Sequence, residues 1–167
     1  MASTQENLKE AFAGESQANR RYLAFARQAE KDGLSVVARL FRAAAEAETV
    51  HALAHLRVMK AVKSTAENLQ TAVEGEGLEF QKMYPRFLNT ANEEGQRAAV
   101  GTFSNAMEVE KVHHRLYTQA LEKVRAGEDL PDRPVFVCQV CGNTVWDEAP
   151  KTCPICGAPQ SQFKKVD

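Results

Sequence analysis

The segments Glu48-Thr49-Val50-His51 and Glu110-Lys111-Val112-His113 each place a carboxylate three residues before an imidazole. On a helix, positions three apart share a face, so each segment aims one Glu and one His at the same point. Two such pairs, joined by an inward Glu from each of two other helices, are the ligand set of a carboxylate-bridged di-metal site in a four-helix bundle. Near the C-terminus, Cys138-x-x-Cys141-Gly142 and Cys153-x-x-Cys156-Gly157 read as two tight knuckles that close one site of four thiolates. The knuckles are a strong sign of a metal, and zinc ribbons and rubredoxin iron sites share them.

Four helices are needed to hold the first site. Ser3-x-x-Glu6 is a capping box that opens a helix running to about Lys31, before Asp32-Gly33. Its apolar stripe is Leu8, Ala11, Phe12, Ala18, Tyr22, Phe25, Ala26 and Ala29, with Glu15 in the middle. The second helix is expected over Leu34 to Val62, with Val37, Leu40, Phe41, Ala44, Ala52, Met59 and Val62 inward and Glu48 and His51 interrupting them. Ser64-x-x-Glu67 opens a third helix to about Glu94, with Glu76 and Glu79 on its stripe and a kink expected at Pro85. The fourth follows Gly95 and ends at Gly127, with Glu110 and His113 as its intruders.

Five carboxylates and two imidazoles therefore fall on core-facing stripes: Glu15, Glu48, Glu76, Glu79, Glu110, His51 and His113. They lie at matching distances either side of the turns at Gly33 and Gly95, so two antiparallel hairpins bring them to one level. Unpaired, each buried carboxylate would carry a desolvation cost of several kcal/mol, so something positive must compensate them. An oxygen-rich set with two imidazoles suits iron or manganese better than structural zinc, and iron is the first choice. Four carboxylates neutralise two ferrous ions; oxidation to two ferric ions adds two positive charges, which a fifth carboxylate helps to offset. His55 and His114 lack a Glu three residues earlier and read as surface or supporting residues. Tyr22 and Tyr84 are either core aromatics or phenols beside the metals.

The bulk numbers fit this layout. A chain of 167 residues with 44% hydrophobic content allows one ordinary domain and a small one. With 21 basic against 22 acidic residues, nothing favours nucleic acid or an anionic membrane surface as a partner. The N-terminal segment from Met1 has no basic-then-apolar run, no stretch approaches about eighteen apolar residues, and the expected address is the cytoplasm. In that reducing compartment the four cysteines point to metal more than to disulfides. Composition breaks near residue 127, where prolines become frequent. The expected organisation is mainly α: a ferritin-like four-helix bundle over 1–127, a linker over 128–134 and a small metal-knuckle domain over 135–167.

Taken together, Ala13-Gly14-Glu15-Ser16-Gln17-Ala18, Glu48-x-x-His51-Ala52, Glu74-Gly75-Glu76-x-x-Glu79, Met83-Tyr84-Pro85, Glu110-x-x-His113 and Cys153-Pro154-x-Cys156-Gly157 make the whole chain resemble the rubrerythrin family. The resemblance implies a ferritin-like di-iron bundle joined to a rubredoxin-like iron-tetrathiolate domain, and reduction of hydrogen peroxide to water. It implies Glu48 and Glu110 as bridging carboxylates, Glu15 and Glu76 as terminal ones, and His51 and His113 as imidazole ligands. It further implies that one iron exchanges His51 for Glu79 on oxidation; Glu79 and His51, with Tyr22 and Tyr84, are the candidate catalytic residues. The cofactors implied are two iron ions in the bundle and one on Cys138, Cys141, Cys153 and Cys156. Leu78, Phe80 and Gln81 depart from the more polar or aromatic residues common at those places.

Three functions fit these motifs: a peroxidase whose tail delivers electrons from a rubredoxin or flavoprotein reductase, an iron-oxidising ferritin-like protein, and a binding module with a structural zinc ribbon. A built-in four-thiolate domain favours the first over iron storage, which needs no electron donor. The link between the second and third helices bears on assembly. In a ferritin-like bundle they run parallel, so the link must descend roughly 33 Å, while three extended residues cover about 10 Å. Either the bundle is a plain up-down hairpin series, or the third and fourth helices pass into a partner chain. The favoured expectation is a homodimer that exchanges helix pairs, each site taking Glu15, Glu48 and His51 from one chain and Glu76, Glu79, Glu110 and His113 from the other.

Overall fold

The computed structural model describes residues 2–166; Met1, where the leader reading began, and Asp167 lie outside the described residues. The chain is mainly helical and divides into two compact units, one ending at Lys63 and the other beginning at Ser64.

The first unit is a helix pair, α1 (Thr4–Lys31) and α2 (Ser35–Val58). The expected capping box opens α1: the Glu6 N–H donates to Ser3 Oγ at 3.2 Å and the Ser3 N–H donates to Glu6 Oε2 at 2.6 Å. Gly33 stops α1 at φ 75°, a left-handed turn that costs glycine little. The seam between the helices is built from small residues, with Ala26, Ala29, Ala38, Ala45 and Ala52 all buried. Two elements of the expected pattern are corrected here. Val37, Leu40, Val62 and Phe25, expected inward, are exposed, because the narrow alanine seam leaves the larger side chains outside it. The second helix also ends at Val58 rather than Val62: the Lys60 N–H donates to Arg57 O and the Ala61 N–H to Leu56 O, closing the helix with Lys60 at φ 51°. This is a Schellman stop without the usual glycine, which is why the sequence shows no punctuation there.

The second unit carries α3 (Thr65–Leu78), a π turn (Glu79–Met83), α4 (Tyr84–Glu93) and α5 (Arg97–Arg125). Ser64 and Glu67 form the second capping box, with Glu67 N–H to Ser64 Oγ at 3.4 Å and Ser64 N–H to Glu67 Oε2 at 3.2 Å. The interruption expected at Pro85 takes the form of a widened turn before it. The Tyr84 N–H donates to Glu79 O, five residues back, which makes room for the proline ring where a regular turn would crowd it. The same widening sets where Glu79 leaves the helix.

Beyond α5 a three-stranded antiparallel sheet forms in the order β2-β1-β3, from β1 (Val135–Cys138), β2 (Thr144–Trp146) and β3 (Phe163–Val166). β1 pairs Phe136 with Val145 on one side and with Lys165 on the other. Cys138, Cys153 and Ala158 form its buried centre, with Ile155 and Phe163 packed against them. This small sheet has little apolar core, so its cohesion depends on what the cysteines hold.

Candidate metal centres

Among the described residues, three clusters bring metal-ligating atoms within 4.8 Å of one another: Glu15 with Glu48 and His51, Glu76 with Glu110 and His113, and the four cysteines. The first two lie in different compact units.

In the first unit, α1 supplies Glu15 and α2 supplies the Glu48/His51 pair. His51 Nδ1 lies 3.0 Å from Glu48 Oε2, and the hydrogen bond from His51, then that from Glu15, holds the Glu48 carboxyl below its usual range. Asn19 fixes the helices beside this cluster by donating from Nδ2 to Ala45 O at 2.7 Å and to Thr49 Oγ1 at 2.9 Å. Tyr22 packs in an aromatic group with Phe25 and Phe41, ring centres 6.2 and 6.3 Å away.

The second cluster is more enclosed. His113 Nδ1 lies 2.8 Å from Glu110 Oε2 and 3.9 Å from Glu76 Oε1, and the three side chains keep 25%, 16% and 20% of their exposure. Burial, followed by the charge of Glu110, pushes Glu76 up to about 7. Glu79 is raised by the same two causes and is close enough to Glu76 to raise it in turn. Burial, then the charge of Glu79, raises Tyr84, so this phenol stands within the field of the carboxylates. Carboxylates crowded until one holds its proton near neutrality are the signature of a missing positive partner, and a divalent cation fits that donor set. His114 lies against Phe80 and Gly77 rather than in the cluster. No contact singles out a role for His55.

The four thiols approach without bonding: Cys138 Sγ is 3.7 Å from Cys156 Sγ, and Cys141 Sγ is 3.6 Å from Cys153 Sγ. A tetrahedral metal with sulfur at about 2.3 Å needs edges of about 3.8 Å, so the thiolates fit one ion. Gly142 N–H donates to Cys138 O and Gly157 N–H to Cys153 O, the matching turns of the two knuckles. Burial pushes the Cys153 thiol up, but N–H groups of Cys156 and Ile155 on its sulfur outweigh this and bring it to about 7. Burial raises Cys141 and Cys156.

Two residues here escaped the sequence reading. Asn143 is 2% exposed and points its Nδ2 at Cys153 Sγ from 3.8 Å. Thr144 Oγ1 lies 3.0 Å from His113 Nε2, linking the knuckle sheet to α5. Neither has a spacing signature, since both partners are distant in sequence.

Comparison with known proteins accounts for both kinds of centre. The family model described as Rubrerythrin matches residues 6–121, and the one described as Rubrerythrin, rubredoxin-like domain matches residues 136–164. The chain is 35% identical to Rubrerythrin-2 of Clostridium acetobutylicum over 98% of its own length and 96% of that protein's. It is also 35% identical to Nigerythrin of Nitratidesulfovibrio vulgaris, over 98% and 86%. Among solved structures, the partially reduced state of nigerythrin aligns at a TM-score of 0.59 with 34% identity, over 99% of this chain and 88% of that one. The Glu/His groups are thus a di-iron ferritin-like site and the four cysteines a rubredoxin-like knuckle, and the chain belongs to the rubrerythrin family.

Proposed function

We propose that the protein is a cytoplasmic peroxidase that reduces hydrogen peroxide to two waters, using two electrons and two protons. The observation that carries this reading is the pairing, in one chain, of a di-iron ligand set bearing a surplus carboxylate, Glu79, with a four-thiolate electron site. When bound, the iron pair supplies the two electrons for O–O cleavage, and the tail returns them one at a time from a rubredoxin or flavoprotein reductase.

The chain's own groups then divide the labour. Glu15, Glu48, Glu76, Glu110, His51 and His113 would hold the iron pair, with Glu48 and Glu110 as the shared carboxylates and His51 and His113 as the imidazole ligands. Glu79 would take the place of His51 on oxidation, where its extra negative charge would offset the added positive charge. One contrast supports this exchange at His51: Thr144 holds His113 Nε2, whereas His51 makes no hydrogen bond through Nε2 among the described residues. Tyr84, whose phenol is kept protonated by burial and the neighbouring carboxylates, would donate a hydrogen bond toward bound peroxide in this reading. Tyr22 sits among rings, and its part is to support the helix carrying Glu15.

A homodimer with exchanged helix pairs completes each site. Each compact unit holds one Glu-x-x-His pair and one further Glu, half of a di-metal set. The early end of α2 lengthens the link to residues 59–64. The descent a parallel pairing needs is then about 27 Å, against about 20 Å for six extended residues. Exposed Val37 and Leu40, three residues apart on one side of α2, offer an apolar face for the exchanged partner.

Steady-state turnover tests the activity. Iron-loaded protein should consume peroxide at the expense of a reduced flavoprotein, and Cys153→Ser should abolish that flux while leaving oxidation of added ferrous ion by dioxygen unchanged. Iron oxidation by dioxygen with no peroxide consumption would favour the iron-handling reading.

A further inference from the structure

The knuckle rests on α5 at two points one helical turn apart. A Cβ placed on Gly142 would lie 3.7 Å from Val109 Cγ1, and Val109 is 2% exposed. One turn on, His113 Nε2 lies 3.0 Å from Thr144 Oγ1, which in turn lies 3.2 Å from Gly142 O. The peptide whose carbonyl is Gly142 O has Asn143 N–H at its other end, and that N–H is directed at the Cys141 sulfur. Nδ1 is turned toward Glu110 and Glu76, and with a metal bound there the remaining ring proton would sit on Nε2. That fixes the direction of every bond: His113 Nε2–H donates to Thr144 Oγ1, and the Thr144 O–H donates to Gly142 O.

We propose that Thr144 is a positioning residue that locks the His113 ring onto the carboxylate site and makes the hydrogen-bonded bridge from His113 through the Gly142–Asn143 peptide to Cys141, all within one polypeptide. The bridge serves the proposed peroxidase reading and rests on it for its electron-transfer role. Each passage oxidises the tail site by one electron and reduces the carboxylate site by one, while the bridging hydrogens stay on their own heavy atoms. Because every donor is aligned in one sense, a metal on Nδ1 makes Nε2–H a stronger donor and sharpens the whole chain. The thiolate-facing N–H at Cys141 is thereby strengthened, which tightens the coupling between the Cys141 sulfur and the His113 ring. A hydroxyl is the one feature the bridge requires of residue 144: valine keeps the shape and breaks both bonds, and serine keeps both bonds with less shape.

The test uses the full chain in two metal forms. In the all-zinc protein, which is diamagnetic, nitrogen-resolved NMR should show a slowly exchanging His113 Nε2–H in the parent, lost in Thr144→Val and regained in Thr144→Ser. In the iron-loaded, reduced protein, re-oxidation of the tail on mixing with peroxide should slow roughly 10- to 100-fold in Thr144→Val, the range typical for loss of a ligand's supporting hydrogen bond, and recover in Thr144→Ser. A protected Nε2–H in Thr144→Val, or an unchanged re-oxidation rate once that proton is lost, would overturn the bridge. A parent protein whose tail is not re-oxidised at all counts against the peroxidase reading instead, and the ring proton alone then decides the positioning claim.

Discussion

Glu79 and Glu76 are three residues apart, and each offers a test of the proposed site. Replacing Glu79 with Ala leaves the four carboxylates that balance two ferrous ions, so ferrous binding should persist at the parent stoichiometry. Turnover at matched iron content should fall roughly 10- to 100-fold, because the oxidised pair loses the group that offsets its added charge; parent-level turnover would remove the exchange of His51 for Glu79. Glu76 gives a pH prediction with a definite sign. Its folded value, about 7, lies above the ordinary 4.5, so the metal-free fold holds a proton that the unfolded chain has already released. Stability from this group is therefore complete below about 4.5 and is lost as pH rises through about 7. Thermal melts of the metal-free protein should show that loss between the two values, and iron should remove it by replacing the proton; a metal-free melting point flat across the window would contradict the crowding. At this scale, the sequence announced most of the site because Glu-x-x-His is a local pattern on a helix. Thr144 and Asn143 were silent because their partners, His113 and Cys153, meet them only through the fold.

Among the elements, helix beginnings were more legible than helix ends. Ser3 and Ser64 are caps with a Glu three residues on, a pattern that needs only neighbours, and both form as expected. The end of α2 was misplaced because Lys60 occupies the left-handed position where a glycine would have marked the stop. That backbone costs a side-chain-bearing residue about 1 kcal/mol or more. Lys60→Gly should accordingly stabilise the chain, by about 0.5 to 1 kcal/mol after glycine's own entropy is counted; chemical denaturation showing lower stability would mean that the lysine makes a compensating interaction. The π turn was legible only in part. Pro85 signals that a regular helix cannot continue, but not that the chain will widen before it and carry Glu79 with the turn. Ser64→Ala is the complementary check, with an expected loss of about 1 kcal/mol from the removed cap.

At the scale of the molecule, the proposed exchange of helix pairs rests on the two half-sets of ligands and the short link. Co-refolding Glu48→Ala with Glu110→Ala chains should return some activity, because in an exchanged heterodimer one of the two sites regains every ligand; silence despite confirmed heterodimers would mean that each chain closes its own site. Exposed Leu40 and Val37 were written in the sequence as core residues, and their partner is what a single chain's sequence leaves out. The central claim, that the thiolate tail feeds electrons to peroxide through the carboxylate site, has a direct optical readout. Fully reduced, iron-loaded protein is mixed without oxygen with peroxide, and the visible thiolate-to-iron absorption is followed in time. The account predicts that the red colour returns within the single turnover and that it fails to return, under the same mixing, when the carboxylate site is disabled by Glu110→Ala. A tail that stays bleached in the parent, or regains its colour equally fast in Glu110→Ala, would contradict it.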